Sequence, residues 1–88
     1  MKKPIIYPAV FYKDEDAYSV FFPDLPGCVT CGETIEEAYL MAGDVLHLWF
    51  ECSSSKAIPP SNPMDIITKE GEFVSLVKAE IYNNGVDL

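Results

Sequence analysis

The chain has 88 residues, enough for one domain with a modest core, because a chain this short buries only about 60% of the surface its unfolded form exposes. Its residues are 49% hydrophobic and 12% aromatic, a globular composition; no apolar run reaches membrane-span length and no secretory signal opens the chain, so the cytoplasm is the expected location. Against 14 acids stand 6 lysines and no arginine, a net charge of −8, which argues against direct nucleic-acid binding and fits a basic protein partner better.

Met1 to Pro4 reads as a frayed start. Ile5 to Tyr12 alternates and is rich in β-branched and aromatic residues, which predicts a strand; Pro8 lacks a ladder donor, so it belongs at an edge or with its nitrogen turned from the neighbour. The short polar link Lys13 to Asp16 leads into Ala17 to Phe22, where Tyr18, Val20 and Phe22 share one face and Ser19 and Phe21 the other. Strands one and two therefore make a hairpin. Cys28 to Cys31 is a short third strand.

Between strands two and three lies a proline-locked corner. Pro23 and Pro26 fix φ and push the residue before each out of the helical region, while Gly27 suits a positive φ. Asp24 and Leu25 thus form a rigid turn. After Gly32 ends the third strand, Thr34 and Glu37 make a T-x-x-E capping box that opens a helix from Ile35 to about Glu51. Ile35, Ala38, Tyr39, Ala42, Val45, Leu46 and Trp49 repeat at helical spacing and lie on the sheet. Leu40, Met41, Leu48 and Phe50 fall outside that stripe and call for another cover.

Ser53 to Pro63 is a Ser/Asn/Pro loop. Met64 to Thr68 reads two ways, as a short turn capped by Asp65 or as an extended segment. Glu72 to Ile81 alternates Phe73, Ser75, Val77 and Ala79 against Val74, Leu76, Lys78 and Glu80, a long fourth strand ended by Asn83-Asn84-Gly85. The order β-β-β-α-β predicts an α+β two-layer sandwich, an antiparallel sheet with one main helix on one face. Residues 1–88 are expected to be this one domain, with no C-terminal DNA-binding segment.

The run P-D-L-P-G-C-V-T-x-G-E-T-I-E-E-A, preceded by Tyr7-Pro8-Ala9 and the Asp14-Glu15-Asp16 turn and followed by Gly71-Glu72-Phe73-Val74, closely resembles the HicB-like antitoxins of bacteria. The resemblance covers about residues 4 to 82. It implies a partial RNase H-like sheet and a function in binding and neutralising a small basic HicA-like toxin, an RNase that cleaves mRNA. Asp14, Asp16, Asp24 and Glu33, the carboxylates nearest the junction, are the candidate partner-binding rim.

Three chemical readings compete with a binding role. Cys28, Cys31, His47 and Cys52 are formally a zinc set, but residues three apart on a strand point to opposite faces, so no metal or cofactor is expected. A redox pair is opposed by Glu33, Glu36 and Glu37, whose charge disfavours a thiolate, and the thiols read as buried. Asp14, Glu15, Asp16 and Asp24 would hold Mg²⁺ in a nuclease only if consecutive turn side chains converged, which they do not do. His47 pairs with Glu51 one helical turn on, Trp49 belongs to the core, and no catalytic residue is expected. Because one helix covers one sheet face while both carry large apolar groups, a homo-oligomer is expected.

Overall fold

A computed structural model describes residues 2–52 and 59–82. Strands β1 (Lys2–Asp14), β2 (Ala17–Phe21) and β3 (Val29–Gly32) precede helix α1 (Ile35–Cys52); a 3₁₀ turn (Pro63–Asp65) and strand β4 (Glu72–Tyr82) follow. The strands form one antiparallel sheet in the order β3-β2-β1-β4. The α+β two-layer architecture is thus the expected one.

Period-two alternation sets the layers. Tyr7, Ala9, Phe11, Val20, Val77, Ala79 and Ile81 face α1 and are buried, together with Ala38, Ala42 and Leu46 of the helix. Phe11 lies at the centre of an aromatic stack, 4.9 Å from Tyr39 and 5.2 Å from Phe73. Phe50, read from its spacing as outside the stripe, packs inward on Tyr7 at 5.5 Å and on Trp49 at 5.2 Å. Its flat ring reaches the core from the edge of the helical face.

Lys2 to Pro4 are not frayed: they pair with Tyr82, Ile81 and Glu80. The two-residue hairpin loop closes on the pair Asp14 and Ala17, which makes even-numbered residues of β1 hydrogen-bond toward β2 and odd-numbered ones toward β4. Pro4 and Pro8 therefore turn their missing donors away from β4, on the side where β2 has already ended. A proline in a central strand costs nothing there. Glu15, in the loop, takes φ 53°, a left-handed conformation unfavourable for glutamate.

The corner after β2 closes on itself through Leu25 N–H to Phe22 O, Cys28 N–H to Leu25 O and Phe22 N–H to Cys28 O. Gly27 has φ 79°, as its position demands. Leu25 turns inward and is buried, and the Trp49 indole donates to Pro26 O at 3.1 Å, tying the helix to the corner. Thr34 Oγ1 accepts from Glu37 N–H at 3.1 Å, and the Glu37 carboxylate reaches back to Glu33 N–H, one residue earlier than the usual capping box.

Pro8 and Val10 point away from α1, yet both are buried. Ser61 is held by the Asp24 carboxylate beyond β2, and the 3₁₀ turn packs against β4. Asn62, not Asp65, caps the turn; Ile66, whose N–H bonds to Pro63 O, is extended, and neither it nor Ile67 belongs to a strand. Part of the apolar surplus expected to need a second subunit is thus covered within the chain.

Candidate partner-binding surface

The sheet's two edges differ. By the same parity, Leu76, Lys78 and Glu80 turn their peptide groups to the free edge of β4, and the helical row Tyr39, Gly43, His47 lies along it. The Tyr39 hydroxyl approaches Leu76 O at 3.5 Å, Gly43 leaves room for Lys78 O, and His47 Nδ1 donates to Glu80 O at 2.7 Å. A carbonyl can only accept, so Nδ1 carries the hydrogen. His47 Nε2 meets Glu51 Oε1 at 2.8 Å, the i,i+4 contact expected from spacing. The helix therefore shields an edge strand that would otherwise be open.

With one side of α1 in the core and another on β4, its remaining side faces solvent. There Leu40, 73% exposed, and Leu48, 53% exposed, stand with Met41 among Glu36, Glu37, Asp44 and Glu51. This face carries four carboxylates and no lysine. Toward its N-terminal end Ile35, Tyr39 and Leu40 line a shallow apolar hollow beside Glu36. Sequence spacing found these apolar residues but not their acidic frame, because the acids are visible as a frame only once the buried side is known.

Of the carboxylates expected at the rim, Asp14 and Asp16 lie exposed at the β1–β2 turn, and Glu33 follows Gly32, which pairs with Tyr18 near that same end. These three share one end of the sheet. Asp24 stands apart at the far end of β2, with its carboxylate on the backbone N–H and hydroxyl of Ser61.

The thiols separate as well. Cys28 is buried, but Cys31, on the outer sheet face, is exposed, correcting the reading of that pair as buried; Cys52, at the helix end, is exposed too. Among the described residues no three His, Cys, Asp or Glu gather as metal ligands. Burial pushes the Cys28 thiol up to about 11. Burial, with the Asp24 charge second, also raises the Tyr7 phenol. Both groups are held neutral by the fold, so their contribution is complete below the unfolded thiol value and is lost as pH rises through the folded one. Stability should fall by about 2–3 kcal/mol between pH 9 and 11 from Cys28 alone. Denaturant melts across that range, with Cys28→Ala as the comparison, measure it; a fall of the same size in the variant would assign the loss to other groups.

A family model described as the HicB-like antitoxin of bacterial toxin-antitoxin systems matches residues 7–83. The chain belongs to this family. An uncharacterized 14.9 kDa protein from the rep-hol intergenic region of Haemophilus phage HP1 is 31% identical over 75 residues, 83% of this chain and 56% of the phage protein. Antitoxin HicB 2 of Photorhabdus laumondii is 45% identical over 51 residues, 58% of this chain and 37% of that antitoxin. The HicB-like chain thus spans about half the length, or less, of these relatives.

Solved structures share its fold. A chain of a HicA3 and HicB3 toxin-antitoxin complex superposes with a TM-score of 0.72 at 24% identity, covering 90% of this chain and 100% of that one. A toxin-antitoxin complex from Streptococcus pneumoniae gives 0.68 at 26% identity, covering 88% and 69%. No helix among the described residues is long and apolar enough to cross a membrane.

Proposed function

We propose that this HicB-like chain is a toxin-binding antitoxin module that neutralises a small basic HicA-like RNase by covering its mRNA-binding surface. The observation that carries the reading is the outward face of α1, where Leu40, Met41 and Leu48 supply contact area and four carboxylates, with no lysine, supply the field a basic partner needs. Asp14, Asp16 and Glu33 extend the acidic character around the near end of the sheet. Family membership and the toxin-antitoxin complexes of similar fold support this reading.

The role is non-catalytic and works in the cytoplasm, where the mRNA is. The chain does not contact nucleic acid itself, since it has no arginine and a net charge of −8. The reading also includes self-association, because Ile6, Val29 and Leu76 remain exposed on the outer sheet face.

The test is RNA cleavage by a HicA-like toxin, sought first in the gene neighbouring this one. Stoichiometric wild-type chain should stop cleavage, and Leu40→Lys with Leu48→Lys should raise the concentration needed by about a thousandfold, since interface anchors are each worth about 2 kcal/mol or more. Both side chains are exposed, so the melting temperature should hold. Unimpaired inhibition by the double variant would move the toxin site elsewhere, and RNA turnover by the chain alone with Mg²⁺ would overturn the binding role.

A further inference from the structure

We propose that the free edge of β3 is a strand-addition site whose occupant is an extended segment of a basic protein with an apolar side chain at every second position. β3 has one neighbour, β2, and so ends the sheet. Parity says which of its peptide groups are open. Phe22 N–H bonds to Cys28 O, and Tyr18 and Val20, the β2 residues not turned to β1, pair with Gly32 and Thr30, so the even-numbered residues here bond to β2. Val29 and Cys31 therefore point N–H and C=O outward, and among the described residues no group takes them. The opposite edge is shielded by the row Tyr39, Gly43, His47, whereas the sequence Val-Thr-Cys-Gly of β3 holds neither the charge nor the proline that commonly guards an edge.

The surroundings set the chemistry of the occupant. An added strand turns alternate side chains to the outer sheet face, where Tyr12, Phe21, Val29 and Cys31 line an open hollow beside the edge. Its other side chains turn toward the helix layer. There α1 begins over the end of β3, which brings Glu33, Glu36 and Glu37 to that end. No lysine occurs between Lys13 and Lys56, and Lys13 lies on β1, on the far side of β2. Lysine or arginine side chains of the incoming strand thus meet carboxylates, while a second copy would bring its own carboxylates and no lysine to this edge. The inference does not rest on toxin binding, and no toxin enters its test.

The probe is a short labelled peptide of alternating valine and lysine, titrated against the whole chain by fluorescence anisotropy. It should bind, and the same peptide with glutamate for lysine should bind at least about tenfold more weakly. Methylation of the peptide's backbone nitrogens keeps its charge but removes the ladder donors, and should weaken binding by about tenfold or more. With saturating peptide, amide hydrogen exchange at Val29 and Cys31 should slow at least about tenfold, with Leu76 and Glu80 on the other edge unchanged. Cys31→Lys alters an exposed side chain, so it should weaken binding by about tenfold at an unchanged melting temperature. No binding, equal binding of the glutamate or the methylated peptide, or slowed exchange at Leu76 in place of Val29 would overturn the proposal. Val29 and Cys31 amides protected in the chain alone, and freed on dilution, would assign the edge to a second copy and overturn the basic occupant.

Discussion

Gly32→Ala should unfold this domain or come close to it. A Cβ built on Gly32 would lie 2.5 Å from Ala38 N and 2.9 Å from Ala38 Cα, backbone atoms of the first helical turn that have no free rotamer to retreat into. The closeness has a local cause. Gly32, Glu33 and Thr34 turn the chain back on itself, and the first helical bond, Ala38 N–H to Thr34 O at 2.9 Å, sets the helix start over the end of β3. Relief requires moving α1 off the sheet or breaking its cap, at a cost of about 3 kcal/mol or more. For a domain of this size that is a drop of about 12–24 °C in melting temperature.

Gly43→Ala makes the control. There the new Cβ would meet only Lys78 O at 3.6 Å, an ordinary contact, and a helix interior gains about 0.5–1 kcal/mol from alanine over glycine. The same substitution should therefore destabilise at one site and stabilise at the other. Thermal melts of the two variants decide it, and equal effects would mean that the approach of α1 to β3 is looser than the geometry states.

Leu25→Ala should cost about 2–5 kcal/mol, although Leu25 lies between two prolines in the loop that joins β2 to β3. Its side chain is 1% exposed and belongs to the core cluster with Phe22, Cys28 and Leu46. The three backbone hydrogen bonds of the corner and the Trp49 bond to Pro26 prevent the loop from collapsing into the space left behind. Val29→Ala, four residues on, removes a side chain that is 60% exposed and should change stability by less than about 0.5 kcal/mol. Chemical denaturation measures both; a small, equal loss at the two positions would show that Leu25 does not plug the core.

The local determinants of this fold were legible in the sequence because their physics is short-ranged. Alternation set the faces of β1, β2 and β4, helical spacing placed Ala38, Ala42 and Leu46 inward, Gly27 gave its positive φ, and Thr34 gave the helix its cap.

What only the tertiary structure decided involves residues far apart in the chain. Lys2 to Pro4 look like a loose end until β4 arrives to pair with them, and Leu25 looks like a turn residue until α1 gives it neighbours. Gly32 reads as a strand terminator, but its lack of a side chain is demanded by the helix backbone above it. The acidic side chains separate for the same reason: Asp24 is drawn into a bond with Ser61, 37 residues away, while Glu36, Glu37, Asp44 and Glu51 become one surface because the core claims the other side of α1. Periodicity tells which way a side chain turns; what it meets there depends on non-local packing, which left Leu40, Met41 and Leu48 in solvent and drew Phe50 into the core.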